Sequence, residues 1–303
     1  LRRFAIGMDI GGTYLRAGLV THEGSLILEI KERVPTTSPV ERIVELLKGL
    51  DVGKAEAIGI GVAGPIEEGI VKPPNLPFKR LNLLKPLRER FGPKVHLVND
   101  CVASLIAESR LGSGKGKDNL VYLAIGTGIG AGVMVDGHVL SGKDGNAHEV
   151  GHMVVDYEGR LRCGCGGMGH WEAYCSGLGV IKLAKYMAER LDMPFKAGIR
   201  AEEVFKLARE DDKLALSVLK ECHKVNAAGI ATLMHVYDPE LIIIGGGMVF
   251  NNWDLFIEPS LKNIEKFSTF KPPAVAPSKL GEYSGVLGSA LYALSKVLEV
   301  GRG

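Results

Sequence analysis

The sequence predicts an α/β layered fold in two related lobes, and three observations carry the prediction. Short apolar runs alternate with amphipathic segments, the order that builds sheets covered by helices. A glycine-threonine hairpin near the start returns 114 positions later, pairing Gly12 with Gly126, Thr13 with Thr127, Ala17 with Ala131 and Gly18 with Gly132. The apolar Leu15, Leu19 and Val20 then match Ile129, Val133 and Met134, as an internal duplication requires. The chain has 303 residues, about two domains at roughly 150 residues each, and each is large enough to bury a core.

The elements follow in order. Residues 4–20 read as a hairpin, FAIGMDI and LRAGLV around Gly11-Gly12-Thr13, by their β-rich runs and turn residues. Over 39–50, Val40, Ile43, Val44, Leu46, Leu47 and Leu50 fall on one helical face, and 57–62 is a short buried strand. A helix over about 81–91 precedes a strand at 95–98 that ends on Asn99-Asp100, and 102–111 is helical again. Residues 120–139 repeat the hairpin around Gly126-Thr127-Gly128, with a turn at Asp136-Gly137. A glycine-rich, cysteine-bearing stretch covers 142–177, and helices are expected at about 178–192, 202–210 and 212–237. The apolar run 241–244 enters Gly245-Gly246-Gly247, and a last helix over about 285–299 is placed to return to the first lobe, since chain ends often lie close. The expected lobes are 1–112, joined by 285–303, and 113–284.

Composition narrows the function classes. Lys plus Arg is 37 against 35 for Asp plus Glu, so nothing draws the whole molecule to nucleic acid or to an anionic membrane. The longest charge-free run, residues 119–135, carries glycines at 126, 128, 130 and 132 and makes a poor bilayer helix. The opening Leu1-Arg2-Arg3-Phe4 meets Asp9 before an apolar segment can form, so it does not read as a secretory signal and a cytoplasmic location is expected. Five cysteines are odd in number, and the close pair Cys163-Gly-Cys165 has the spacing of a metal clip rather than of a disulfide.

Two hairpin tips of glycine and threonine suit polyphosphate, because glycine lets backbone N–H groups approach anionic oxygens and threonine adds a hydroxyl. Asp9 at the first strand end is placed to orient Mg²⁺; ordinary turns with a self-bonded Asp are the plainer reading. A P-loop motif is missing, and the glycine string at 126–132 opens a strand where a dinucleotide fingerprint needs a helix. Gly245, Gly246 and Gly247 would let an adenine or ribose lie against bare backbone, or make a tight turn. His148-Glu149-Val150-Gly151-His152 fits H-E-x-x-H, with Glu172 placed as a third ligand. That zinc-peptidase reading requires one helical face, and Gly145, Gly151 and Val154-Val155 argue for turn and strand instead.

MDIGGT at 8–13, AGP at 63–65, PNLP at 74–77, ND at 99–100, IGTGIGAG at 125–132, EVGH at 149–152, CGCGGMGHWE at 163–172 and IIGGG at 243–247 occur in one order. Together they resemble the ROK family (repressors, open reading frames, kinases) of the actin-like ATPases, most closely its glucokinases. The resemblance implies a two-lobed actin-like, ribonuclease H-like fold with MgATP in a cleft between the lobes. It implies phosphoryl transfer to the 6-hydroxyl of a hexose, with glucose expected first and mannose, fructose or an N-acetylated hexose as alternatives.

By that resemblance Asp100 is the catalytic base, although Asn99-Asp100 also reads as a helix cap. Gly64, Asn99, Glu149, His152 and Glu172 match sugar-contacting positions, with Asn75 a further candidate in a loop that its prolines rigidify. Gly11, Gly12, Thr13, Gly126, Thr127 and Gly128 are expected at the phosphates. His152, Cys163 and Cys165 with a fourth ligand would close a structural zinc centre. The family places a third cysteine where this chain has His170, so His170 is the expected fourth ligand and Cys175 the reserve. The family further implies a homodimer. Its repressors carry a helix-turn-helix ahead of the kinase-like lobes, for which the position of Asp9 leaves no room.

Overall fold

Two hairpins organise the computed structural model, which describes residues 4–35, 37–73 and 78–300. The first joins β1 (Phe4–Ile10) to β2 (Tyr14–Thr21), and β3 (Leu26–Arg33) extends it. Then come α1 (Pro39–Gly49), β4 (Ile58–Val62), the short strands β5 (Ile66–Glu67), β6 (Ile70–Val71) and β7 (Leu81–Asn82), α2 (Leu84–Phe91), β8 (Val95–Asn99) and α3 (Asp100–Leu111). The second hairpin joins β9 (Leu120–Ile125) to β10 (Ile129–Val135), followed by β11 (His138–Val139). Next are α4 (Glu172–Cys175), α5 (Gly177–Leu191), α6 (Ala201–Arg209), α7 (Lys213–Tyr237), β12 (Leu241–Gly245), α8 (Glu258–Leu261), β13 (Ala274–Pro277) and α9 (Ser284–Val300).

The larger sheets have the orders β3-β2-β1-β4-β8 and β11-β10-β9-β12-β13. Position by position the topologies agree: an antiparallel hairpin, then strands that run parallel to its first member, β4 beside β1 and β12 beside β9. The duplication read from seven matched pairs of residues therefore extends to strand order. By proximity the described residues form two units, one from those within 4–118, 132–147 and 278–300, the other from 119–131 and 148–277.

In the first unit β1 and β4 are almost wholly buried, because one face packs on α1 and α2 through Ile6, Met8, Ile43, Leu47 and Leu87. The other face takes α9, with Val286, Leu287 and Ala290 packed on Ala5, Val20 and Ala57. Close approach explains two glycines: a Cβ at Gly59 would overlap the Ser289 carbonyl, and one at Gly288 would overlap that of Ala103. Backbone thus meets backbone on both sides of α9.

The expectations miss β3, whose LILEIKER is mostly exposed at a sheet edge and so lacks the apolar alternation that marks a half-buried strand. Residues 81–82 form β7, and α2 starts only at Leu84. Helix α3 starts at Asp100 rather than 102 because Asn99 caps it.

Candidate active site

In the first unit the site residues gather at strand ends. Asn99, the last residue of β8, turns its side-chain oxygen to the N–H groups of Cys101 and Val102 at 2.9 and 3.2 Å. This cap fixes the start of α3, so the neighbouring Asp100 carboxylate lies at the positive end of a helix. The cap uses the amide oxygen of Asn99, and its NH₂ makes no hydrogen bond among the described residues. Asp100 also accepts from Cys101 N–H at 2.9 Å; burial raises its pKa above the ordinary carboxylate value, and that hydrogen bond opposes the rise.

Asp9, near the end of β1, faces the start of α9, where a Cβ on Gly285 would lie 2.8 Å from its Cγ. Burial first, and the Asp100 charge second, push its pKa up to about 7, while Arg16 pulls it down. Two partly buried carboxylates are thus answered by one guanidinium, 3.8 Å from Asp9. An oxygen-rich, under-neutralised pair fits a hard divalent cation. Beside them the tip of the first hairpin is exposed at Gly12 and Thr13, held by Gly11 N–H to Tyr14 O at 3.0 Å and Val34 N–H to Thr13 O at 3.1 Å. Gly64 follows β4 with φ of +90°, a conformation that favours glycine. Asn75 lies outside the described residues.

In the second unit the Gly126-Thr127-Gly128 tip closes through Gly126 N–H to Gly128 O at 2.9 Å, and Thr127 is exposed. Gly177 N–H donates to Gly126 O at 2.8 Å, and Met248 N–H to Ile125 O at 3.1 Å. The latter draws the glycine run after β12 against the end of β9. Gly246 has φ of +101° and leaves no room for a Cβ beside Ile125, whereas Gly247 opens onto free space. Gly245 closes β12 and is buried.

The glycine-rich stretch folds back on itself by bridges of Val154 with His170 and Arg162 with Met168. It brings one ligand atom each of His152, Cys163, Cys165 and His170 within 4.8 Å of one another. Cys163 Sγ is 3.8 Å from His152 Nδ1, and Cys165 Sγ is 3.3 Å from His170 Nδ1. A tetrahedron with bonds of about 2.3 Å to sulfur and about 2.0 Å to nitrogen has edges of about 3.5 Å. Soft thiolates with imidazoles are a zinc-type donor set, so the residues fit that ion. Cys175 stands apart, its thiol directed at Cys222 O, 3.6 Å away, in the core.

The expected sugar carboxylates border this cluster. Glu149 Oε2 lies 3.7 Å from His152 Nε2, so one imidazole faces Cys163 with Nδ1 and Glu149 with Nε2. Glu172 accepts from Ile129 N–H at 2.8 Å with one oxygen and from the Cys163 thiol at 3.6 Å with the other. That bond to the strand after Thr127 was not foreseen; no spacing signal in sequence reports a backbone partner 43 residues away. Equally unforeseen is the arm's anchor, where the Tyr174 hydroxyl donates to Asp156 and accepts from Leu161 N–H. Only a single 3₁₀ turn, Val150–His152, occupies the H-E-x-x-H region. His148 is buried outside the cluster, so the peptidase geometry is not formed.

The ROK family description matches residues 5–296. The chain belongs to the ROK family. A glucokinase of Pyrobaculum calidifontis is 37% identical over 291 residues, 95% of this chain and 94% of its own length. Among solved structures, a ROK family glucokinase from Streptomyces griseus in complex with glucose and AMPPNP is similar with a TM-score of 0.81 and 31% identity, over 96% of this chain and 99% of its own. The ROK hexokinase from Thermus thermophilus matches with a TM-score of 0.84 and 29% identity, over 99% of this chain and 100% of its own. The fold is thus the two-lobed actin-like ATPase fold of ROK sugar kinases.

Proposed function

We propose that this ROK protein is an ATP-dependent glucokinase, an ATP:hexose 6-phosphotransferase. The observation that carries the reading is a likeness to glucokinases that runs through almost the whole chain, one of them solved with glucose and AMPPNP. The residues agree with it. Asp100, partly buried and with a raised pKa, is the base that accepts the proton of the sugar 6-hydroxyl as that oxygen attacks the γ-phosphorus and ADP departs. The divalent cation that accompanies ATP neutralises phosphate charge, and Asp9 is the carboxylate that orients it. Gly11, Gly12 and Thr13, and separately Gly126, Thr127 and Gly128, are phosphate contacts, with Gly245, Gly246 and Gly247 toward the nucleoside.

Gly64, Asn99, Glu149, His152 and Glu172 hold the sugar hydroxyls in this reading, with Asn75 as a further contact. The NH₂ of Asn99 is free to donate while its oxygen caps α3. His152, Cys163, Cys165 and His170 hold a structural zinc ion: four protein ligands leave no position for a reactive water. Cysteines outside any disulfide fit a reducing, cytoplasmic setting, and no helix among the described residues is long and apolar enough to cross a membrane. A homodimer is the family's assembly and our reading here. ADP release measured over glucose, mannose, fructose and N-acetylglucosamine tests the substrate. Glucose should give the highest kcat/KM, and turnover of another hexose without glucose would move the assignment.

A further inference from the structure

Arg16 belongs to a charged row that phosphate binding leaves unexplained. The register sets Asp9 of β1 opposite Arg16 of β2, and Arg16 opposite Lys31 of β3, so the three side chains share one face of the sheet. Glu282, in the turn before α9, meets that face. It accepts from Arg16 Nε and Nη2 at 3.2 and 2.8 Å, and from Lys31 Nζ at 2.5 Å. The remaining nitrogen, Nη1, stands 3.8 Å from Asp9 Oδ2, inside charge contact but beyond a hydrogen bond. The side chains of Arg16 and Asp9 are each 15% exposed, so solvent screens the pair weakly.

We propose that Glu282 is a positioning residue that holds Arg16 back from Asp9 and so leaves the Asp9 carboxylate available to the divalent cation. The proposal rests on the reading of Asp9 as a cation ligand. An untethered guanidinium facing a carboxylate closes to a two-point ion pair, and that pair competes with a metal for the same oxygens. Glu282 prevents the closure by occupying two of the three guanidinium nitrogens, while Gly285 backs the Asp9 carboxylate against the start of α9.

The test is Mn²⁺ binding to the full chain saturated with ADP, followed by electron paramagnetic resonance. Glu282→Gln frees Arg16 and should weaken Mn²⁺ binding roughly threefold to fivefold, whereas Arg16→Gln removes the competitor and should tighten it by a similar factor. A simple field effect would give the same two signs, so the double variant decides. If Glu282 acts through Arg16, adding Glu282→Gln to Arg16→Gln changes nothing further. Additive shifts, or single variants that move together or not at all, overturn the proposal. Asp9→Asn separates the two failures. Wild-type Mn²⁺ affinity in that variant removes Asp9 as a ligand and the proposal with it, while lost affinity keeps the Asp9 reading whatever Glu282 does. Glu282 is 40% exposed, so its substitution threatens folding little.

Discussion

Asp100 and Asp9 are both carboxylates pushed upward by burial, yet they lead to different expectations. Asp100→Asn is nearly isosteric and keeps an acceptor for Cys101 N–H, so it should cut kcat by ~10²-fold to 10⁴-fold while glucose affinity stays within about tenfold. Turnover within fivefold of wild type would remove Asp100 from the mechanism. For Asp9 the consequence is on stability. Its pKa in the folded chain is about 7, above the ordinary 3.8, so the folded state binds more protons and this group's contribution to stability falls as pH rises from about 4 to about 7. Asp9→Asn should therefore raise the unfolding free energy at pH 7 in magnesium-free buffer, by at most a few kcal/mol, and flatten the pH dependence. Denaturant unfolding at pH 5 and 7 reads both effects, and a variant less stable than wild type at pH 7 would contradict them. Asn99 divides its two roles between two atoms. Asn99→Asp keeps the cap and should lose sugar affinity alone, whereas Asn99→Ala should also cost about 1 kcal/mol of stability, as paired calorimetry and unfolding would show.

Among elements, the arm from Glu149 to Glu172 carries the largest claim. Its cluster joins residues 18 positions apart, from His152 to His170, and both flanking carboxylates touch a side chain of that cluster. His170→Ala should release the metal and raise KM for glucose more than KM for ATP, while Cys175→Ala should keep the metal. Elemental analysis with steady-state kinetics checks this; full zinc in the His170 variant would displace that residue from the centre. Of the four clustered residues, the sequence itself marks Cys163-Gly-Cys165 as a possible metal clip, while His152 and His170 come from the family resemblance. What the sequence could not show was the arm's own fold: its bridges and its Tyr174 anchor pair residues with no periodicity. Strand β3 stayed hidden for a related reason, since an exposed edge strand carries charge where a buried one carries alternation.

The whole molecule is a duplicated sheet topology, and that level was the most legible. Hairpins with glycine-threonine tips recur because the same turn serves both copies, and apolar strands such as 241–244 declare themselves by composition. The row of Asp9, Arg16, Lys31 and Glu282 was not legible, because Glu282 lies 266 positions from Arg16 and only folding sets them on one face. The central claim concerns where the phosphoryl group goes, and one measurement reaches it directly: product analysis by ³¹P nuclear magnetic resonance after incubation with MgATP and either glucose or 6-deoxyglucose. The account predicts ADP and glucose 6-phosphate in equal amounts from glucose, and no sugar phosphate from 6-deoxyglucose. Phosphorylation of 6-deoxyglucose, or ADP formed from glucose without a sugar phosphate, would contradict it.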